Sequence, residues 1–165
     1  MFAGKTTALI TAANMDPDTL VLRPVIDTRS PSHKVRSHDG REYPCETVSS
    51  LHIVDDFSYS QILVDEVQFF KPNSVGKLLT WAASGKTVQV FGLSEMADGS
   101  PWPIVEMLKR AKPKTVWLSA RCQLCAEPAT KTQRLTPWSD GKAGISVGGA
   151  MDYAPRCTKH WSPKP

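Results

Sequence analysis

Met1-Phe2-Ala3-Gly4-Lys5-Thr6-Thr7, running straight into Ala8-Leu9-Ile10-Thr11-Ala12-Ala13, is the stretch that decides the fold. Gly4, Lys5 and Thr6 fill the last three places of the phosphate-binding pattern G-x-x-x-x-G-K-[ST]. Backbone N–H groups at such a turn point at a phosphate, the Lys reaches the outer phosphates, and the Thr hydroxyl is placed to ligate magnesium. A helical run follows at once and stops near Asn14 and Pro17. A surface turn before a helix would read the same way if nothing else in the chain supported it. The first glycine of the pattern, and the strand that feeds it, would lie upstream of Met1. The natural product is therefore expected to start upstream, and this chain to bind ATP poorly.

Support comes from the next apolar burst. Ile62-Leu63-Val64 ends in Asp65-Glu66, the pattern of a buried parallel strand delivering carboxylates to the edge where such sheets bind ligands. Beside a phosphate loop, Asp65 is suited to hold magnesium and Glu66 to take a proton from an attacking hydroxyl. Gln68, Phe69 and Phe70 follow, an amide and two aromatics able to bond and stack a flat heterocycle. Leu20 to Ile26 reads as another short buried strand, and residues 28–44 as a long polar loop. A helix is predicted from Ser74 to Ser84 with Gly85 as its cap, a strand over Thr87–Phe91, a helix over Ile104–Ala111 and a strand over Thr115–Leu118. Alternating strands and helices predict an α/β fold, a parallel sheet covered by helices on both faces.

The character changes near residue 120. Cys122-x-x-Cys125 and Cys157-x-x-His160 supply four N/S ligands at the spacing of a tetrahedral structural zinc site. Two free thiol pairs are the alternative. Residues 1–120 are read as a nucleotide-binding α/β domain and 121–165 as a small zinc-binding domain. Between the metal pairs, Ser146-Val147-Gly148-Gly149 and Asp152-Tyr153 read either as a plain hairpin loop or as a lid closing over a ligand.

Composition bounds the rest. The chain has 165 residues, 41% hydrophobic and 22% charged, with a net charge of +4, the range of an ordinary soluble domain. Lys and Arg are scattered, which argues against a nucleic-acid stripe. No apolar run reaches the length of a membrane span. Four cysteines, three of them in metal-type pairs, suit a reducing cytoplasm better than disulfides. Cys45 stands alone and reads as a small apolar residue.

In order along the chain, these residues resemble the zinc-containing thymidine kinases. The resemblance runs through Met-Phe-Ala-Gly-Lys-Thr at 1–6, Ile-Asp-Thr-Arg at 26–29, Ser-His-Asp-Gly at 37–40, Val-Asp-Glu-Val-Gln-Phe-Phe at 64–70 and Gly-Leu at 92–93. It continues through the Cys pair at 122–125, Thr-x-Arg-Leu at 132–135, Gly-Gly at 148–149, Tyr153 and Cys-Thr-Lys-His-Trp at 157–161. The resemblance implies a P-loop-type sheet and a zinc ribbon carrying a lasso-like lid. It implies transfer of the ATP γ-phosphoryl group to the 5′-hydroxyl of thymidine, with deoxyuridine as a second acceptor, and ATP, Mg2+ and Zn2+ as cofactors. Glu66 is then the catalytic base. Gly4, Lys5, Thr6, Asp27, Arg29, Asp65 and Gln68 serve the nucleotide and its metal. Met1, Phe69, Leu93, Trp102, Thr132, Tyr153 and the main chain of Val147, Gly148 and Gly149 line the base pocket. Cys122, Cys125, Cys157 and His160 hold zinc. The partners implied are thymidine, ATP and further copies of the chain in a homotetramer, with no membrane and no nucleic acid. The chain departs from the family at Ala97, where an aromatic is usual, at Asp98, where Arg is usual, and at Trp102, which replaces Phe. Two alternatives stay open: a zinc-ribbon ATPase acting on nucleic acid, and an inactive truncated remnant.

Overall fold

The computed structural model describes residues 2–29, 33–137 and 147–163. Its centre is a four-stranded parallel sheet in the order β4-β1-β5-β6, made of β1 (Thr19–Pro24), β4 (Glu46–Val48), β5 (Gln61–Val64) and β6 (Thr87–Val90). Leu20 pairs with Ile62 and Leu22 with Val64, and Ile62 pairs in turn with Val88. β1 and β5 are buried along their whole length. This is the outcome expected of near-continuous apolar runs in a parallel sheet covered on both faces.

Alternate residues serve opposite faces. Leu20, Leu22, Ile62 and Val64 join a core with Val75, Leu78 and Trp81 of α2 (Ser74–Ala83) and Ile104 of α3 (Pro103–Arg110). Val21 and Leu63 turn the other way and meet Leu9, Ile10 and Ala13 of α1 (Lys5–Ala13). The fold class is thus α/β, with helices on both sides of the sheet.

Three sequence expectations need correction. Residues 28–44 do not form one long loop. Lys34–Arg36 (β2) and Glu42–Pro44 (β3) pair as an antiparallel hairpin, and Val35 is buried against α1. The strand after Leu20 ends at Pro24, and Val25 and Ile26 turn out into solvent. Thr115–Leu118 is not a strand, and Val116 and Trp117 are 73% and 72% exposed. Its apolar pattern is genuine, but a strand needs a ladder partner, and no described strand lies beside it.

Beyond residue 119 the pieces are short and antiparallel. β7 (Ala120–Arg121) pairs with β8 (Pro128–Ala129), and β9 (Lys131–Arg134) with β10 (Tyr153–Arg156). Their common core is small: Cys122, Ala129 and Cys157, with Ala120 against them. Among the described residues, no helix is long and apolar enough to cross a membrane.

Candidate active site and metal centre

Gly4 caps α1 in the left-handed conformation, φ 75°, a geometry that a side chain disfavours. Lys5 and Thr6 occupy the first turn of the helix, so their N–H groups are among the four that a helix leaves without an internal partner. No acidic side chain competes in that turn. An anion is favoured here by both the free N–H groups and the helix dipole. Met1 lies outside the described residues.

β5 delivers Asp65 and Glu66. The Asp65 N–H donates to the Leu22 carbonyl at 2.8 Å, which anchors it to β1. Its carboxylate accepts from the Glu66 N–H at 3.0 Å. Burial, reinforced by the neighbouring Glu66, pushes the Asp65 carboxyl up to about 7, although Lys5 draws it the other way. A buried carboxyl displaced this far by burial and a neighbouring carboxylate marks Asp65 as a candidate functional residue.

Glu66 adopts φ 48°, the left-handed region, without being glycine. That turn carries the chain from β5 into the short helical turn Val67–Phe69 and holds the Glu66 side chain, only 7% exposed, between two partners. Arg29 Nη2 donates to Glu66 Oε1 at 2.7 Å, and Gln68 Nε2 donates to Glu66 Oε2. Both oxygens are therefore held in fixed directions. Arg29 is itself gripped by Asp27 in a two-pronged pair, Nε to Oδ1 at 2.8 Å and Nη2 to Oδ2 at 3.0 Å. Burial pushes the Asp27 carboxyl up, but the Arg29 bonds outweigh it and hold that carboxyl below its ordinary range. The Arg29 guanidinium is correspondingly held in its charged form.

Gln68 ties this cluster to the end of β6. Its Oε1 accepts from the Leu93 N–H at 3.1 Å. Gly92 is required for that approach, since a Cβ there would lie 2.8 Å from Gln68 Oε1 and from Val67 Cγ1. Phe69 packs edge-on against Trp102, centroids 5.7 Å apart at 80°, and Trp102 is the residue before α3. Phe69 and Trp102 thus form an apolar pair shortly after Glu66, and Leu93 is tied to Gln68 through its backbone N–H. Phe70 is 5% exposed and belongs to the sheet core.

Tyr153 begins β10 and pairs with Arg134, whose guanidinium donates to the Tyr153 hydroxyl at 3.2 Å and lies 5.6 Å over the ring. A Cβ on Gly148 would come within 2.8 Å of the Tyr153 ring and of Asp152, so the chain can pass there only as glycine. The Gly149 N–H donates to Asp152 Oδ2 at 3.1 Å, shaping the approach to β10. Val147 is described, whereas Ser146 lies outside the described residues.

The metal ligands converge. The ligand atoms of Cys122, Cys125, Cys157 and His160 all lie within 4.8 Å of one another. Cys125 Sγ is 3.7 Å from Cys157 Sγ, and His160 Nδ1 is 3.7 Å from Cys122 Sγ and 3.4 Å from Cys157 Sγ. Tetrahedral zinc at about 2.3 Å from each sulfur sets ligand separations of about 3.7 Å, so the cluster fits it. Burial raises the Cys122 thiol, but backbone N–H groups of Cys157 and Leu124 and the His160 ring bring it down to about 6. A thiolate ready at neutral pH is what a metal-binding cysteine requires. Four protein ligands leave no open position, which defines a structural centre.

Several features escaped the sequence reading. The pair Arg29–Glu66 joins residues 37 apart, and only the β1–β5 pairing brings them together. His38, in the turn of the β2–β3 hairpin, packs its ring against Phe2 at 4.9 Å. Trp161, next to the ligand His160, reaches back to the loop after β6. Spacing alone gives no signal for any of these.

A parallel α/β sheet, an anion-receptive helix start and a clamped strand-end carboxylate are the features of a phosphate-handling protein, and a separate Cys3His cluster fits a zinc ion. The family model described as "Thymidine kinase" matches residues 1–161. The thymidine kinase of Pyrobaculum aerophilum is 32% identical over 174 aligned residues, covering 98% of this chain and 94% of that protein. That of Thermococcus kodakarensis is 34% identical, covering 97% and 89%. That of Mycoplasmoides gallisepticum is also 34% identical, covering 97% and 76%. The chain belongs to the thymidine kinase family.

Proposed function

We propose that the protein transfers the γ-phosphoryl group of ATP to the 5′-hydroxyl of thymidine, giving the monophosphate for nucleotide salvage, and accepts deoxyuridine as well. One observation carries the chemical part of this reading: Glu66, at the end of β5, has both carboxylate oxygens held by Arg29 and Gln68. A base held this way needs no reorganisation when its proton arrives. Glu66 takes the 5′-hydroxyl proton while that oxygen attacks the γ-phosphorus, and the bond to the bridging oxygen breaks toward ADP. Lys5 and the N–H groups at Gly4 to Thr6 bind the phosphates, and Arg29 joins them from the Asp27 side. Thr6 and Asp65 would hold Mg2+, which neutralises charge on the phosphates.

The thymine is received by Phe69, Leu93, Trp102, Thr132 and Tyr153, together with Met1 and the main chain of Val147 to Gly149. Zinc at the four-ligand cluster fixes the second domain, which we place at residues 121–165, and takes no part in chemistry. A homotetramer in the cytoplasm completes the reading. The nucleic-acid ATPase alternative draws little support. Lys131, Arg134 and Arg156 are engaged with Glu95, Tyr153 and Gln123 and do not form a free basic face. Incubation of the purified protein with ATP and either thymidine or single-stranded DNA separates the two. Thymidine monophosphate is the expected product. ADP released only in the presence of DNA would overturn the assignment.

A further inference from the structure

We propose that Trp161 is a positioning residue of the nucleoside pocket: it binds the loop after Leu93 and the strand carrying Thr132 into one wall. This rests on the pocket assignment made above.

The geometry is specific. Trp161 Nε1 donates to two carbonyls at once, Ala97 at 3.2 Å and Thr132 at 3.2 Å. One belongs to the loop between β6 and α3, the other to β9. Lys131 lies over the indole face, its Nζ 5.1 Å from the centroid, and its other contact is an ion pair with Glu95 in the same loop. Gly99 seals the ring edge. It sits at φ 85°, and a Cβ there would come within 2.8 Å of Trp161 Cη2. On the far side, the Ser162 N–H donates to Gln133 Oε1 at 2.7 Å. Among the described residues, the loop 94–100 is otherwise closed by its own hydrogen bonds, Met96 to Ser100, Gly99 to Met96 and Ser100 to Asp98, and by the bridge between Glu95 and Pro101. The indole, together with the Lys131–Glu95 pair packed over it, therefore ties the two halves of the pocket to each other. Its immediate neighbour is the metal ligand His160, so the metal knuckle fixes where the indole starts.

Trp161→Phe keeps an aromatic side chain near Lys131 and removes the donor, together with the outer ring that meets Gly99. Losing one shared donor costs on the order of fivefold to tenfold in an equilibrium constant. The thymidine KM and the calorimetric Kd for thymidine should therefore rise by about that factor. The ATP KM and the zinc content should stay as in the native protein. Hydrogen exchange read by mass spectrometry should quicken in residues 94–100 and not in β1 or β5. Lys131→Met, which removes the ion pair to Glu95 but leaves the Trp161 donor in place, should quicken exchange in 94–100 less than Trp161→Phe does. Unchanged exchange in 94–100 in both variants would overturn the clamp. Quickened exchange with unchanged thymidine Kd would overturn the positioning role. If the native protein itself fails to bind thymidine, the pocket assignment falls and the positioning role with it, while the exchange data still judge the clamp.

Discussion

On the proposed mechanism the chemistry turns on Glu66, and its surroundings predict how a substitution behaves. Glu66→Gln retains the shape, and its amide group keeps an oxygen for either Arg29 or Gln68, but it cannot accept the hydroxyl proton. Loss of a positioned general base lowers turnover by about a hundredfold to ten-thousandfold. The expected outcome is a kcat reduced in that range with thymidine binding, measured by calorimetry, little changed. Near-normal kcat would mean that the proton leaves by another route. Arg29 is tied to the same atom, and so its removal acts on two functions. It frees Glu66 Oε1 and leaves buried Asp27 without its counter-charge. These consequences could not have been drawn from Asp27, Arg29 and Glu66 as separate positions in the sequence.

At the scale of elements, the metal knuckles predict a clear result. The small core around Cys122, Ala129 and Cys157 is too slight to hold four short strands by itself. A closed zinc site contributes its binding free energy directly to folding. Metal analysis of the purified protein should find one zinc per chain, and Cys122→Ser should melt well below the native protein. Equal melting temperatures would show that the cluster is not structural. The same scale separates what was legible from what was not. β5, α2, β6 and α3 were readable because apolar periodicity, a glycine cap and a strand-end acid pair are all local signals. The β2–β3 hairpin was not, because its residues are polar and only Val35 and Tyr43 reach the core. Thr115–Leu118 failed in the opposite sense: its local signal is that of a strand, but a strand is a property of two segments. The metal ligands were legible by spacing, whereas the clamp on Glu66 depends on sheet register.

Asp65 gives the whole molecule one of its responses to pH. Burial, with Glu66 beside it, holds the folded-state carboxyl near 7, against an ordinary value of 3.8. The folded protein therefore binds a proton that the unfolded chain has released. Its stabilising effect is complete below the ordinary carboxylate range and is lost as pH rises through about 7. Between pH 5 and 8, in zinc-replete buffer free of magnesium, the melting temperature of the native protein should fall relative to that of Asp65→Asn. An identical slope in the variant would place the titration elsewhere. The left-handed backbone at Glu66 carries the same tension into the history of the protein. A non-glycine residue held at such a φ costs on the order of 1–3 kcal/mol, a sizeable part of the roughly 5–15 kcal/mol that holds a domain folded. Selection for heat resistance alone would drift toward glycine or asparagine at position 66, and every step of that drift would erase the base. With Glu66 as the base proposed above, heat resistance and turnover pull this one position in opposite directions, so a variant selected for melting temperature alone should gain stability and lose activity in the same step.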